Sequence, residues 1–507
     1  MLICWGIVGL LGAYFASLSP ETFFIRFGIG DALVYSRVAF NVAAGNGSTY
    51  NLLVPTNGYH PLWMWLHIPL MLGADDILSR LWLIEKLWIT VAISSTIAWS
   101  VLIRHITNSD LAGGLTALLF GTFGWSLYVL YSGIETPLVF LGLALVFYSA
   151  NCLRKAKTHV VFWLFMYVFA VALTFLARLD TVFILLPTFW IAYPALSRIS
   201  HFKILAAAIG GGIITIPYIG WNWGVMGQIM PVSGTVKTAF DISVSRSLSM
   251  LDGWIVRVSR LGVPVFLLYG IAVGLGGMAL GLCWLLYRKN QVFARILIVS
   301  LLGAFVHYGY YLVFMKEIHV SWHMYPQFLA AYLVVIGTLI LCEIGLARII
   351  RNAGFHYLAR IAVFLFLVAG TLLITMKYHD VKQVRRSEYG TDFQVGRWIR
   401  DNLPIHAKIA MYDSFVPAIV APHHAFVDLN GLVGNLEGSR LIRQGNFFAL
   451  IRLRNCEYLV EKEIDSRPIL ALNAHEFQTI LASFSGTTSI HNFRYKILGG
   501  DSYDAKQ

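Results

Sequence analysis

The chain has 507 residues, 58% of them hydrophobic and only 13% charged, with a mean hydropathy of +0.69 and a formal net charge of +12. That profile excludes a water-soluble protein of this length, and the basic residues cluster in short connections between apolar stretches, the positive-inside pattern of a membrane protein and not a nucleic-acid-binding surface. The five cysteines (Cys4, Cys152, Cys283, Cys342, Cys456) have no metal-ligand spacing, and four lie in or beside apolar stretches, which argues against a disulfide framework.

The first apolar run, Leu2 to Leu18, lacks the basic start of a signal peptide and is expected to be a retained first span. Phe27 to Trp63 follows, too polar to cross a bilayer and too apolar for a solvated loop. Asp31 opens a helix-like run in which Leu33, Val34, Val38 and Val42 share a face, and Gly45-Asn46-Gly47-Ser48 stops it with turn chemistry. A second run starts at His60-Pro61, with proline suited to a first helical turn, and carries Trp63, Trp65 and His67. Two amphipathic, tryptophan-rich helices between spans are expected to lie in the interface plane, as floor and wall of a cavity that holds Asp31.

Further apolar segments fall at roughly 79–103, 111–131, 136–153, 160–177, 181–196, 204–221, 263–287, 292–315, 321–344 and 359–376, about eleven spans with the first. The segment 61–73 is too short for a perpendicular span. If it does not cross, one face collects Arg104, Arg154, Lys155, Arg198, Lys203, Arg288, Lys289 and Arg348. The other face then collects the first loop, Glu135, Arg178, Asp180, the 222–262 loop and Lys316 to His319. This places the first loop, and the tail from residue 378, outside the cytoplasm. The tail is charged and mixed: Asp392 to Asn402 reads as an amphipathic helix stopped before Pro404, and Lys408–Met411, Ala425–Asp428 and Glu457–Val460 read as buried strands of a small α/β domain. The expected organisation is a membrane module over 1–377 and an extracytoplasmic domain over 378–507.

Several polar residues are expected on the outer face, each with a plainer alternative. Asp31 is either a helix N-cap or a general base. His60, after Tyr59, is either a phosphate donor at a helix N-terminus or an interfacial aromatic. Glu135 follows Gly133 and suits a helix dipole; Arg178 and Asp180 suit a structural ion pair in a tight hairpin. Lys237, beside Ser233 and Gly234, suits a phosphate contact or a solvated surface. His319 and His323 flank the start of a later span, and Glu85-Lys86 lies inside one.

The stretch GDALVYSRVAFNVAAGNG…PTNGYHPLWMWL resembles the first outer loop of the C-type (GT-C) glycosyltransferase superfamily, and is most similar to bacterial polyprenyl-phosphate-sugar transferases of the arabinofuranosyltransferase kind. SGIETPL (132–138), LARLD (176–180), NWGVMGQIMPVSGTVK (222–237), WIRDNLP (398–404) and VDLNGLVG (427–434) extend the resemblance over nearly the whole chain. It implies a membrane enzyme with an outward-facing site, a polyprenyl-phosphate-linked sugar donor held among membrane lipids, and a glycan or protein acceptor. The catalytic base then falls on Asp31. Lys237, His60 and Arg178 are the donor-phosphate candidates, and Glu135, Tyr59, Asp180 and His323 the sugar or acceptor candidates. No cofactor is implied: relatives commonly carry two adjacent acids where this chain has Gly30-Asp31, which weighs against a divalent metal there. A lipid-linked-sugar flippase and a non-catalytic envelope assembly protein are the competing readings.

Overall fold

In hydrocarbon a backbone finds no water to bond, so apolar runs close their own hydrogen bonds as helices. The computed structural model describes residues 1–73, 77–238, 281–315, 322–349, 383–462, 477–484 and 488–493. Among these, seven helices are long and apolar enough to cross a membrane, eight if the bent pair Leu2–Ala16 and Pro20–Phe27 counts as one span. The expected span at 359–376, most of 263–287 and His319 lie outside the described residues. The chain divides into two compact units: Met1–Phe27, Glu85–Tyr218 and Lys237–Val381 form the first, and Gly28–Ile84, Ile219–Val236 and Lys382–Gln507 the second.

The first unit is helical. Leu2–Ala16 packs on Asp110–Thr122, where the Val8 side chain lies in the space a Cβ on Gly121 would need. Trp5 Nε1 donates to Ser100 Oγ at 2.9 Å. The chain bends by 118° before Pro20, because a residue preceding proline is pushed out of the helical region. The single span expected at 111–131 is instead two helices, Asp110–Thr122 and Gly124–Leu130, parted at Phe123 (φ −66°, ψ 141°). Gly121 and Gly124 flank that break, and glycine is a poor helix former. Thr136–Lys155 packs on Val160–Ala177 and Val182–Leu196, and Val182–Leu196 also packs on Gln291–Phe314. Lys86 Nζ donates to Glu85 Oε1 at 2.9 Å and to the Ala16 carbonyl at 2.7 Å, so the in-span charged pair is also tied to the first helix.

The second unit joins the first loop to the C-terminal domain. Gly30–Ala43 packs on Pro61–Leu72, whose 12 residues fall short of a span. The α/β domain is built on a five-stranded sheet: β1 (Lys408–Met411), β2 (Ala425–Asp428), β3 (Tyr458–Lys462), β4 (Phe477–Phe484) and β5 (Thr488–Phe493), in the order β2-β1-β3-β5-β4. β2, β1 and β3 are parallel; β5 and β4 continue the sheet antiparallel. Lys408 pairs with Ala425 and Met411 with Asp428. β1 and β2 are apolar and buried along nearly their whole length, as strands covered on both faces must be. The helix Phe415–Val420 carries the chain from β1 to β2 and packs on both Gly30–Ala43 and Gln383–Asn402. The compact unit thus takes in residues 28–84 and 219–236 in addition to the expected tail domain.

Candidate functional site

Two polar constellations stand out, one in each unit. In the helical unit, Val160–Ala177 ends at Arg178, whose extended backbone (φ −163°, ψ 121°) leads into the short turn Leu179–Thr181. That turn puts Asp180 on the same side as the guanidinium. Arg178 Nε donates to Asp180 Oδ1 at 2.8 Å and Nη2 to Oδ2 at 3.2 Å, a bidentate pair. Nη1 donates to Glu135 Oε1 at 2.6 Å. Asp180 also accepts from Tyr311 Oη at 3.1 Å and Tyr325 Oη at 3.3 Å, and its Oδ2 lies 3.2 Å from His307 Nε2. Arg178 lies over the Tyr325 ring, 5.0 Å from its centre. Arg178 and Glu135 are each only 3% exposed through their side chains.

The ion pair of Arg178 with Asp180, expected from the sequence, is joined by Glu135, which was read separately, and the three form one network. Arg178 serves two carboxylates at once. Gly133 leads into Glu135 with φ +88°, and the Trp88 ring occupies the place of its missing Cβ. His323 is buried beside the network, its ring 5.6 Å from that of Tyr311.

In the second unit, the helix Gly30–Ala43 is capped by Ile29 (φ −122°, ψ 138°), and Asp31 sits inside its first turn. The N-cap alternative for Asp31 is therefore corrected: the cap position is two residues earlier. Gly30 N donates to Tyr389 Oη at 2.9 Å, and the Phe415 ring packs against Gly30. Two more acids lie in this unit at the carboxyl ends of parallel strands, Asp413 after β1 and Asp428 at the end of β2. In open α/β sheets these ends form the usual ligand-binding rim. Asn430 Nδ2 donates to Asp413 Oδ1, and Tyr50 Oη lies 3.0 Å from Ser414 Oγ. Asp428 is buried, and among the described residues neither of its carboxyl oxygens takes a hydrogen bond of ordinary geometry. Burial first, then the charges of Asp413 and Asp31, hold its pKa well above the usual carboxylate range.

Tyr59 is buried, with its Oη 2.5 Å from Ser48 Oγ, and burial pushes its pKa up to about 12. His60 takes the cap position of Pro61–Leu72 without a side-chain cap bond. His67 lies fully buried against Tyr35 and Trp63, and burial lowers its pKa to about 4, so the ring is neutral. Three separated motifs converge at this point. Asn57 Oδ1 accepts from Val232 N at 2.9 Å, and the Leu432 carbonyl fills the space a Cβ on Gly58 would need. Leu432 also packs with Met226, Val232 and Val236. Lys237, half-buried, ends the short helix Val232–Lys237.

Arg37, which sequence reasoning missed, is fully buried in the same helix as Asp31. It donates to three backbone carbonyls: Tyr50 at 3.1 Å, His424 at 2.8 Å, and Pro422. Burial lowers its pKa to about 10, so it stays charged at neutral pH. His307, Tyr311 and Tyr325 were also missed. A histidine inside an apolar run is the signal that marks His307; the tyrosines carry no comparable one. Among the described residues, no group of three His, Cys, Asp or Glu side chains is arranged to hold a metal ion.

No family model matches the chain, and no curated protein matches it by sequence. By structure it is similar to ArnT from Cupriavidus metallidurans bound to undecaprenyl phosphate, with a TM-score of 0.57 and 12% identity over 98% of this chain and 99% of that one. The apo form of the same protein gives 0.58 and 11% over 99% of each chain. The oligosaccharyltransferase of Archaeoglobus fulgidus, in its apo form, gives 0.48 and 12% over 91% of this chain and 69% of that one. The likeness to ArnT runs the full length and shows the fold: a multi-pass helical membrane protein with an α/β domain at its C-terminal end.

Proposed function

We propose that this protein is a polyprenyl-phosphate-dependent membrane glycosyltransferase in which Asp31 is the general base. It moves a sugar, with arabinofuranose the first choice, to a glycan or protein acceptor such as a pilin on the extracytoplasmic side. The observation that supports this reading is the place of Asp31 in the first turn of the helix Gly30–Ala43, in the same compact unit as the buried Asp428, on whose carboxyl its charge acts. The undecaprenyl phosphate bound to ArnT supports a lipid-linked donor. In such a transfer the anomeric carbon passes through an oxocarbenium-like state, a carboxylate takes the proton of the acceptor hydroxyl, and cations stabilise the leaving phosphate. Lys237 and His60 are the phosphate contacts in this scheme. Arg178 keeps its two carboxylates in place; Glu135, Asp180 and His323 in the helical unit, and Tyr59 in the other unit, are the sugar and acceptor candidates.

The test is transfer from a polyprenyl-phosphate sugar by purified protein in reconstituted membranes. A flippase would move the lipid-linked sugar with no glycosylated product, and an assembly protein would do neither. Lys237→Ala is expected to raise the donor KM about tenfold to a hundredfold, the loss of one charge-assisted contact, with acceptor KM little changed. Equal donor kinetics in a folded variant would remove Lys237 from the phosphate site. Sidedness has its own check. Arg440, exposed on the helix Leu436–Arg443, replaced by cysteine is expected to react with an impermeant thiol reagent in intact cells. Protection at 440 together with labelling near Lys155 would invert the topology.

A further inference from the structure

The end of the helical unit remote from Glu135 and Arg178 holds a second charged constellation. Thr136–Lys155 has 20 residues, a rise of about 30 Å at 1.5 Å per residue, which matches the hydrocarbon thickness of a bilayer. Glu135 precedes its first turn, and Arg154 and Lys155 lie in its last. Val182–Leu196 packs on this helix and on Gln291–Phe314, which brings Arg198 and Arg295 to the same end. Arg198 Nη2 donates to the Arg154 carbonyl at 3.4 Å, and its Nε to the Pro194 carbonyl at 2.7 Å. The Arg295 guanidinium lies 5.5 Å from the centre of the Trp190 ring.

The charge of Arg295 acts on Arg154, and among the described residues no acid forms an ion pair with Arg154, Arg198 or Arg295. Arg154 Nε and Arg295 Nε are buried donors with no hydrogen-bond partner among the described residues. One turn before Arg154, Asn151 is fully buried, and neither polar atom of its side-chain amide has a partner among the described residues. Buried donors without acceptors and like charges side by side are both unfavourable. An anion that offers oxygens to both guanidinium forks removes both costs at once.

We propose that Arg154, Arg198 and Arg295 bind the phosphate of an anionic phospholipid headgroup, at the end of the bundle opposite the Glu135–Arg178–Asp180 network. The exposed apolar side chains of the same helix, Phe189, Trp190 and Tyr193, favour a phosphate carried on a lipid over a free one. The site is separate from the donor site of the proposed transfer and stands whether or not that reading holds.

The experiment follows the melting temperature of the full-length protein in phosphatidylcholine micelles as phosphatidylglycerol is titrated in. Wild-type protein is expected to gain stability, and Arg154→Gln/Arg295→Gln to bind phosphatidylglycerol about tenfold to a hundredfold more weakly. In phosphatidylcholine alone the double variant should melt no lower than wild type, since it loses a repulsion, and this separates lost binding from lost folding. Arg295→Gln alone should fall between the two. Inorganic phosphate that matches the phosphatidylglycerol shift at equal concentration would overturn the lipid assignment in favour of a soluble anion. An equal shift from added phosphatidylcholine, or an undiminished phosphatidylglycerol shift in the double variant, would overturn the site itself.

Discussion

Purified Asp31→Asn protein is expected to transfer a lipid-linked sugar about a hundredfold to ten-thousandfold more slowly than wild type, because an amide takes no proton at neutral pH. Its melting temperature should change little. Asn has nearly the same size as Asp, and Ile29 holds the cap position, so the helix end loses only a first-turn charge–dipole contribution of about 0.3–1 kcal/mol. The substitution also removes one of the negative charges that act on the buried carboxyl of Asp428. The discriminating measurement is turnover beside thermal melting on the same preparations. Normal turnover by a well-folded variant would strike Asp31 from the mechanism. Glu135 would then be the next carboxylate to try, ahead of Asp180, which already faces Arg178, His307, Tyr311 and Tyr325.

Arg178→Met should destabilise the helical unit by about 3–5 kcal/mol, the usual loss when one partner of a buried ion pair is removed. Two carboxylates would be left without their guanidinium, one of them 3% exposed. Glu135→Gln and Asp180→Asn made together with Arg178→Met should recover part of the loss, because neutral groups are cheaper to bury than unpaired charges. Unfolding of the single and triple variants in mixed micelles, monitored by circular dichroism, measures both. A loss under about 1 kcal/mol for Arg178→Met would mean that the pair is effectively solvated.

Much of the fold was legible because its strongest signals are local. β1 and β2 match their expected bounds, since each is a short apolar run between turn residues. The helix before Pro404 starts nine residues earlier than expected, at Gln383 and not Asp392, because its first turns are polar and carry no apolar stripe. β4 and β5 were not anticipated; Phe477–Phe484 and Thr488–Phe493 gain their identity from pairing with each other and with β3. The same limit governs the sites. The Arg178–Asp180 pair was legible because both residues lie in one tight turn, yet its union with Glu135 depends on how the helices pack. Arg37 sits in a run that reads as the polar face of an amphipathic helix, and only tertiary contacts bury it. Asp428 belongs to a motif visible in the sequence, but its environment is assembled from the first loop and from the turn after β1.

Arg37 also sets a schedule for biosynthesis. Its acceptor at His424 lies 387 residues further along the chain. At about 5–20 residues per second of synthesis, the two become available to each other only after tens of seconds. Until then the first loop holds a cation destined for burial and none of its C-terminal acceptors. The loop therefore waits, open and prone to chaperone capture or proteolysis, for the last part of the chain to emerge. A nascent chain arrested before residue 420 should accordingly be cut within residues 28–60 by a protease that leaves the finished protein intact there.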